Sequence, residues 1–212
     1  MVAVIVPALN EQGTVYEVVK AFRETALSAE VTVYVVIDPE TTDHTKIMAG
    51  NAGAAIMKSD EHGKGQGVNH ALSVLDHSGA KEYILCDADV HVSKAAIHEL
   101  LLPLGRHDGQ RIIIPRFPTA TEWDEATQTA GLKFNPDAWP LVSGIRRVRR
   151  ECIPNGLYGY VMETQINRRV AELGYGTEKM YSHDTISPLR FTPRRVADLL
   201  ANGVYAKEHG LL

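Results

Sequence analysis

Short, continuously apolar runs alternate along this chain with stretches whose apolar residues recur every three or four positions. Val2-Ala3-Val4-Ile5-Val6 is apolar on both faces and ends at Pro7-Ala8-Leu9-Asn10-Glu11, the pattern of a strand covered from both sides. From Thr14 to Leu27, Val15, Val18, Val19 and Phe22 keep helical spacing and predict an amphipathic helix. Val31 to Ile37 is a second, β-branched strand that stops at Asp38. A short helix follows from Asp43 to Asn51, capped by Thr42 or Asp43 and punctuated by Gly50 and Gly53. Ala54-Ala55-Ile56-Met57 reads as a third strand, and Gly63-Lys64-Gly65-Gln66-Gly67 leads into a helix through Leu75. Tyr83-Ile84-Leu85-Cys86 then runs as a strand into Asp87-Ala88-Asp89. Such alternation predicts the α/β class, with a mainly parallel central sheet and helices on both of its faces. With no repeat, low-complexity stretch or linker, residues 1–212 read as a single domain.

The second half is less regular. Gln110 to Pro115 predicts a strand, and the polar segment from Arg116 to Pro136 predicts a loop with a short helix, leaving Trp123, Phe134 and Trp139 to line a pocket. Glu163 opens an amphipathic helix carrying Ile166, Val170 and Leu173, which Gly174 and Gly176 end. Thr177 to Tyr181 reads as a short strand ending at Ser182-His183-Asp184. A last helix from Thr192 to Gly210 is opened by Thr192-Pro193, with Val196, Leu199, Leu200 and Val204 on one face. That face is expected to pack on the sheet or on a second subunit, which leaves a homodimer open.

Composition narrows the class. A chain of 212 residues with 44% hydrophobic and 23% charged residues is a globular average and long enough to bury a core. The net charge of −4 argues against a general polyanion binder. Two cysteines, Cys86 and Cys152, lack metal-type spacing and are expected to be reduced thiols. No leader pattern and no apolar run of membrane-spanning length is seen, so a soluble, cytoplasmic protein without a membrane partner is expected.

The chemistry gathers at the strand ends, where open α/β sheets bind their ligands. On an extended backbone Asp87 and Asp89 face the same side and can together address a divalent cation or a sugar. Equally, an aspartate here can cap the helix that Val90-His91-Val92-Ser93-Lys94-Ala95-Ala96 begins. Asp38 can accept hydrogen bonds from a base or ribose, or be an ordinary turn residue before Pro39. Lys64 can meet a phosphate as a point charge, or be a solvated loop lysine. Its flanking glycines would let backbone N–H groups approach an anion. The loop is not a P-loop, because no Ser or Thr follows the lysine, and it lies too late in the chain for the first-turn dinucleotide fingerprint. Four successive polar strand ends together describe a nucleotide-diphosphate site.

These segments carry a family resemblance. Val4-Ile5-Val6-Pro7-Ala8-Leu9-Asn10-Glu11, Val36-Ile37-Asp38-Pro39-Glu40-Thr41-Thr42-Asp43-His44-Thr45, Gly63-Lys64-Gly65 and Asp87-Ala88-Asp89 resemble, in order and spacing, the nucleotide-sugar glycosyltransferases of the GT-A, Rossmann-like fold. The resemblance implies a nucleotide-binding half over 1–90 and an acceptor half with the last helix over 91–212. It implies that Pro7, Ala8, Leu9, Glu11, Asp38 and Lys64 contact UDP or a similar nucleotide. Asp89 would be a ligand of Mn²⁺ or Mg²⁺, and Asp87 would lie nearer the ribose or sugar. Pro39-Glu40 replaces the usual Gly-Ser and brings negative charge near the base. Trp139-Pro140-Leu141-Val142-Ser143-Gly144-Ile145-Arg146-Arg147 and Gly159-Tyr160-Val161-Met162-Glu163 resemble segments of the retaining glucosyl-3-phosphoglycerate and mannosyl-3-phosphoglycerate synthase-like enzymes. Ile145 stands where those enzymes carry Glu. By this likeness Ser143, Gly144, Arg146 and Arg147 would face the acceptor, and Glu163 would orient the sugar or acceptor hydroxyl; otherwise Glu163 merely suits a helix start. His183, after a late strand, matches the position that completes the metal shell in GT-A enzymes, and imidazole suits Mn²⁺ beside carboxylates. Seven other histidines read as helix or loop residues without partners, and His91 as pointing into its helix.

Arg146-Arg147-Val148-Arg149-Arg150 reads by default as a solvated helix face, and alternatively as a site for an anionic acceptor or a nucleic acid. The expected activity is metal-dependent transfer of a hexose, glucose from UDP-glucose in the first instance, to a hydroxyl acceptor with retention. An inverting enzyme would need a carboxylate base such as Glu163 or Asp184. The alternatives are a DNA-modifying glycosyltransferase acting on a hydroxymethylated base, a nucleotidyltransferase, and a non-catalytic sugar-nucleotide-binding module.

Overall fold

The computed structural model describes residues 2–26, 31–116 and 143–186. Its elements are β1 (Val2–Ala8), α1 (Val15–Thr25), β2 (Val31–Ile37), α2 (Thr45–Asn51), β3 (Ala55–Lys58) and α3 (Lys64–Leu75). They continue with β4 (Glu82–Leu85), α4 (Lys94–Leu101), β5 (Asp108–Arg116), β6 (Arg146–Arg149), α5 (Met162–Glu172) and β7 (Gly176–Ile186). Among the described residues the strands form one seven-stranded sheet in the order β3-β2-β1-β4-β6-β5-β7. β6 runs antiparallel to both its neighbours, and every other pairing is parallel. The parallel set places the ends of β1, β2, β3 and β4 on one edge of the sheet.

The two-sided apolar runs explain the layers. In β1, Val4 and Val6 join a core with Val15, Val18, Val19 and Phe22 of α1 and with Ile97 and Leu100 of α4. Ala3 and Ile5 point the other way, into a core with Val68, Ala71 and Leu72 of α3 and Ile166 and Val170 of α5. β4 divides likewise, Ile84 to the first core and Tyr83 and Leu85 to the second. Fully burying each Val, Ile, Leu or Phe among them contributes about 1.5–3 kcal/mol. The α/β architecture expected from the sequence is therefore observed.

Three expectations change. The arginine-rich stretch is not a solvated helix face: Arg146–Arg149 is β6, and Arg146, Arg147 and Val148 are buried. Its side chains alternate, as strand geometry requires. Arg146 reaches Asn167 of α5, whereas Arg147 reaches the Leu100 and Leu101 carbonyls at the end of α4. The late strand does not stop at Tyr181 but continues to Ile186, with a register irregularity between Pro115↔Ser182 and Arg116↔Ile186. His91 precedes α4 and is exposed rather than packed into a helix. Trp123, Phe134, Trp139 and the helix expected over 192–210 lie outside the described residues.

Candidate active site

The loop after β1 is stitched to the loop after β2. Asn10 takes a left-handed backbone (φ 56), a conformation that asparagine tolerates better than most residues. Its side-chain oxygen accepts from the Thr42 N–H at 2.9 Å and the Asp43 N–H at 3.3 Å. The Glu11 N–H donates to the Thr45 hydroxyl at 2.6 Å, and the Gln12 N–H to Asp43 at 3.1 Å. The Glu11 carboxylate accepts from Thr14 at 3.0 Å. Pro7 and Ala8 thus end β1 directly beside Asp38, whose N–H donates to the Ala8 carbonyl at 3.0 Å.

Asp38 is buried, and its carboxylate is held from three directions. It accepts from the Glu40 N–H at 2.9 Å and the Gly63 N–H at 2.8 Å, and the His62 Nδ1 stands 2.9 and 3.0 Å from its two oxygens. Burial by itself would raise the carboxyl. The hydrogen bonds from His62, Gly63 and Glu40 outweigh it and hold Asp38 below the usual carboxylate value. His62 is therefore not a loop histidine without a partner.

Lys64 opens α3 instead of lying in a solvated loop, and is largely enclosed. Its ammonium lies 2.5 Å from Asp87 Oδ1 and 2.5 Å from Glu163 Oε1. Burial lowers the pKa of this lysine, but the two carboxylates more than reverse the effect and keep it charged. Two glycines make the convergence possible. A Cβ on Gly65 would come within 2.7 Å of the Tyr158 backbone nitrogen, so only glycine lets the 157–158 segment cross α3 here. A Cβ on Gly144 would overlap the Asp87 carboxylate. Three elements distant in sequence thus meet at Lys64: the start of α3, the end of β4 and the start of α5.

Asp89 is buried at 6% exposure. It does not cap the next helix: Ser93 does, its hydroxyl accepting from the Ala96 N–H at 3.2 Å. Ser93 also ties this loop to β7, its N–H donating to the Thr185 hydroxyl at 3.2 Å and its hydroxyl lying 3.3 Å from that of Ser182. His183 and Asp184 are exposed between these tethers. Among the described residues no three His, Cys, Asp or Glu side chains are gathered as a metal site. A buried carboxylate without a capping role, with an exposed imidazole on the strand tied to its loop, is nonetheless the right donor chemistry for Mn²⁺.

The residues expected at the acceptor divide. Gly144 touches Asp87, but the Ser143 hydroxyl donates to the Ile113 carbonyl at 2.7 Å inside the protein. Arg146 is fully buried, donating to the Ser143 carbonyl (3.0 and 2.6 Å), to Gln110 (3.1 Å) and to Asn167 (3.0 Å). Arg147 donates to Glu82 at 2.6 Å and to the Leu100 and Leu101 carbonyls at 2.9 and 2.8 Å. These bonds turn Ser143, Arg146 and Arg147 inward. In the structure they brace the sheet, with Arg146 on the side of Asp87 and Glu163, whose charges only partly offset the burial that lowers its guanidinium to about 10. Cys86 and Cys152 are buried free thiols, both shifted upward by burial and so poorly nucleophilic. No helix among the described residues is long and apolar enough to cross a membrane.

An acidic end of β4, an enclosed lysine after β3 and an Asp38 locked at the end of β2, on an open α/β sheet, match the GT-A arrangement that the sequence motifs imply. Residues 3–161 match the family described as Glycosyl transferase family 2, and the chain belongs to that family. It is 30% identical over 103 residues to the glycosyltransferase AglJ of Haloferax volcanii, an alignment covering 49% of this chain and 32% of AglJ. The chain thus matches only about a third of that relative's length. It is also 30% identical over 100 residues to the protein RfbJ of Shigella flexneri, covering 47% of this chain and 73% of RfbJ. The fold is shared with glucosyl-3-phosphoglycerate synthase of Mycobacterium tuberculosis, solved with Mn²⁺, UDP-glucose and glycerol 3-phosphate. There the TM-score is 0.75 at 19% identity, covering 100% of this chain and 79% of the other. A second structure of that synthase, with Mn²⁺, UDP-glucose and phosphoglyceric acid, gives the same TM-score of 0.75.

Proposed function

We propose that this glycosyltransferase moves a hexose, glucose from UDP-glucose in the first instance, to a hydroxyl of a small anionic acceptor with retention of configuration, using Mn²⁺ or Mg²⁺. The observation that carries the reading is the meeting of Lys64, Asp87 and Glu163 beside Asp89 at the carboxyl edge of the sheet. Pro7, Ala8, Leu9, Glu11 and Asp38 form the nucleoside end, Asp38 with its acceptor oxygens fixed and ionised. Lys64 stands two residues beyond His62 and offers its charge to the diphosphate. Asp87 approaches the ribose or sugar, and Glu163 orients the sugar or acceptor hydroxyl. Asp89 and His183 would hold the divalent ion, which when bound supplies positive charge to offset the departing diphosphate.

Retention has its own support. Of the two carboxylates that could serve an inverting enzyme as base, Glu163 is buried and already paired with Lys64, which leaves the exposed Asp184 as the one to test. The anionic acceptor follows the glycerol 3-phosphate and phosphoglyceric acid found in the structural relative. A DNA acceptor loses its main support, because Arg146 and Arg147 are spent on internal bonds. The test is incubation with radiolabelled UDP-glucose or GDP-mannose, Mn²⁺, and 3-phosphoglycerate or glycerol 3-phosphate, with the anomeric configuration of the product read by NMR. An α-linked glucosyl product on a phosphorylated acceptor supports the reading. A β-linked product excludes retention, and failure of every donor to yield product excludes the transfer.

A further inference from the structure

The described residues hold one histidine bonded to both oxygens of a proposed nucleotide contact. Asp38 is 8% exposed, and as an ionised carboxylate it only accepts. The His62 Nδ1 at 2.9 and 3.0 Å must therefore be the protonated ring nitrogen, donating between the two oxygens. His62 does more than satisfy an acid. It sits in the loop between β3 and α3, which is pinned at its start by the Ser59 N–H donating to the Ile37 carbonyl at 3.0 Å. Within the loop the Ser59 hydroxyl donates to the Glu61 carbonyl at 2.7 Å. The loop closes on Asp38 through His62 and the Gly63 N–H, and the next residue is Lys64. Glu40 lies farther off, 3.7 Å from the same nitrogen, and is half-exposed. One imidazole thus joins the strand end that presents Asp38 to the helix start that presents Lys64.

We propose that His62 is a positioning residue for the nucleotide-sugar donor: by donating from Nδ1 to Asp38 it fixes the carboxylate that meets the nucleoside and sets the loop that carries Lys64 to the diphosphate. This rests on the donor site proposed above. The requirement is geometric, because the donor must lie at the position of Nδ1. An asparagine amide reaches that position from the same backbone, whereas a glutamine amide extends one bond further, toward the position of Nε2.

The test combines two measurements on the full chain. Titration of UDP and UDP-glucose with Mn²⁺ should show His62→Ala raising the donor Kd roughly tenfold, the loss expected when a charge-assisted hydrogen bond that orders a site is removed. His62→Asn should restore binding to within about threefold and His62→Gln should behave like the alanine variant, with melting temperatures recorded for all three. In the transfer reaction the change should fall on the donor KM and leave kcat within about twofold. Equal donor binding by His62→Ala and wild type, or rescue by Gln as good as by Asn, would overturn the proposal. The second measurement needs no nucleotide: ¹⁵N NMR of the free protein should show the His62 Nδ1 protonated and hydrogen-bonded, and the signature should disappear in Asp38→Ala. A His62 protonated only at Nε2 overturns the proposal even if the donor is another nucleotide. A protein that shows the Nδ1 signature but binds no UDP, UDP-glucose or GDP-mannose instead overturns both the donor reading and the positioning role built on it.

Discussion

The carboxyl edge of β1 to β4 and the arginine-rich strand β6 are both dense in charge, yet the fold uses their charges in opposite ways. At the edge, Asp38, Lys64, Asp87 and Asp89 stand at strand ends and a helix start, where the proposed donor site lies. On β6, Arg146 and Arg147 point into the two faces of the sheet and are consumed by carbonyls, amides and Glu82. The charge of a segment therefore does not tell whether it binds a ligand or braces the scaffold. Its position relative to the end of a strand does.

Changes that remove one side of this contrast should differ in magnitude. The largest loss is expected for Arg146→Met, which strands the Ser143 carbonyl, Gln110 and Asn167 and removes a cation behind Glu163 and Asp87. Urea unfolding should show about 3–5 kcal/mol of destabilisation, as for other broken buried charge networks. A solvated, acceptor-facing arginine would instead cost activity and leave stability alone.

Lys64→Met comes next. It leaves Asp87 and Glu163 enclosed without their shared cation and should cost about 3 kcal/mol, somewhat less than Arg146→Met because the lysine retains some solvent contact. Adding Glu163→Gln should recover part of the stability and none of the donor binding. Recovery of both in calorimetry would make Lys64 purely structural.

A smaller effect separates Asp38 from the rest of the edge. Its folded pKa lies below the ordinary carboxylate value of 3.8. Its contribution to stability is thus complete above that value and lost as pH falls through the lower, folded one. Below about pH 4 the wild type should lose stability faster than Asp38→Asn, each measured against its own value at neutral pH. Parallel acid profiles for the two would contradict the Asp38 hydrogen-bond account. Smallest of all, Arg168→Ala removes an exposed partner of Glu172 on α5 and should leave the melting temperature within error.

Local pattern carries this chain a long way. The second strand was readable end to end from its β-branched run, Val31–Ile37, and the four strand ends announce themselves because a ligand edge must change abruptly from apolar to polar. The shared Lys64 contact with Asp87 and Glu163 was not readable, although each residue stood out alone, because it joins positions 99 residues apart. His62 was missed for the same reason: its partner lies 24 positions upstream, and its one local signal was a histidine directly before Gly63-Lys64-Gly65 at a strand end. Arg146 and Arg147 misled because a run of arginines looks solvated until strand pairing buries it. Gln110, which is buried, and the half-buried Asn167 receive Arg146, and no pattern marks either for that role. The competing cap for α4 resolved only in three dimensions, where Ser93 takes the role and leaves Asp89 at the edge.

Asp89 is the proposed anchor of a metal-bound nucleotide-sugar at this edge. Calorimetric titration of UDP-glucose into wild type and Asp89→Ala, each with and without Mn²⁺, tests it most directly. Mn²⁺ should markedly tighten binding to the wild type and have no effect on Asp89→Ala, with both proteins melting at similar temperatures. An unchanged Mn²⁺ effect in the folded Asp89→Ala protein would contradict it.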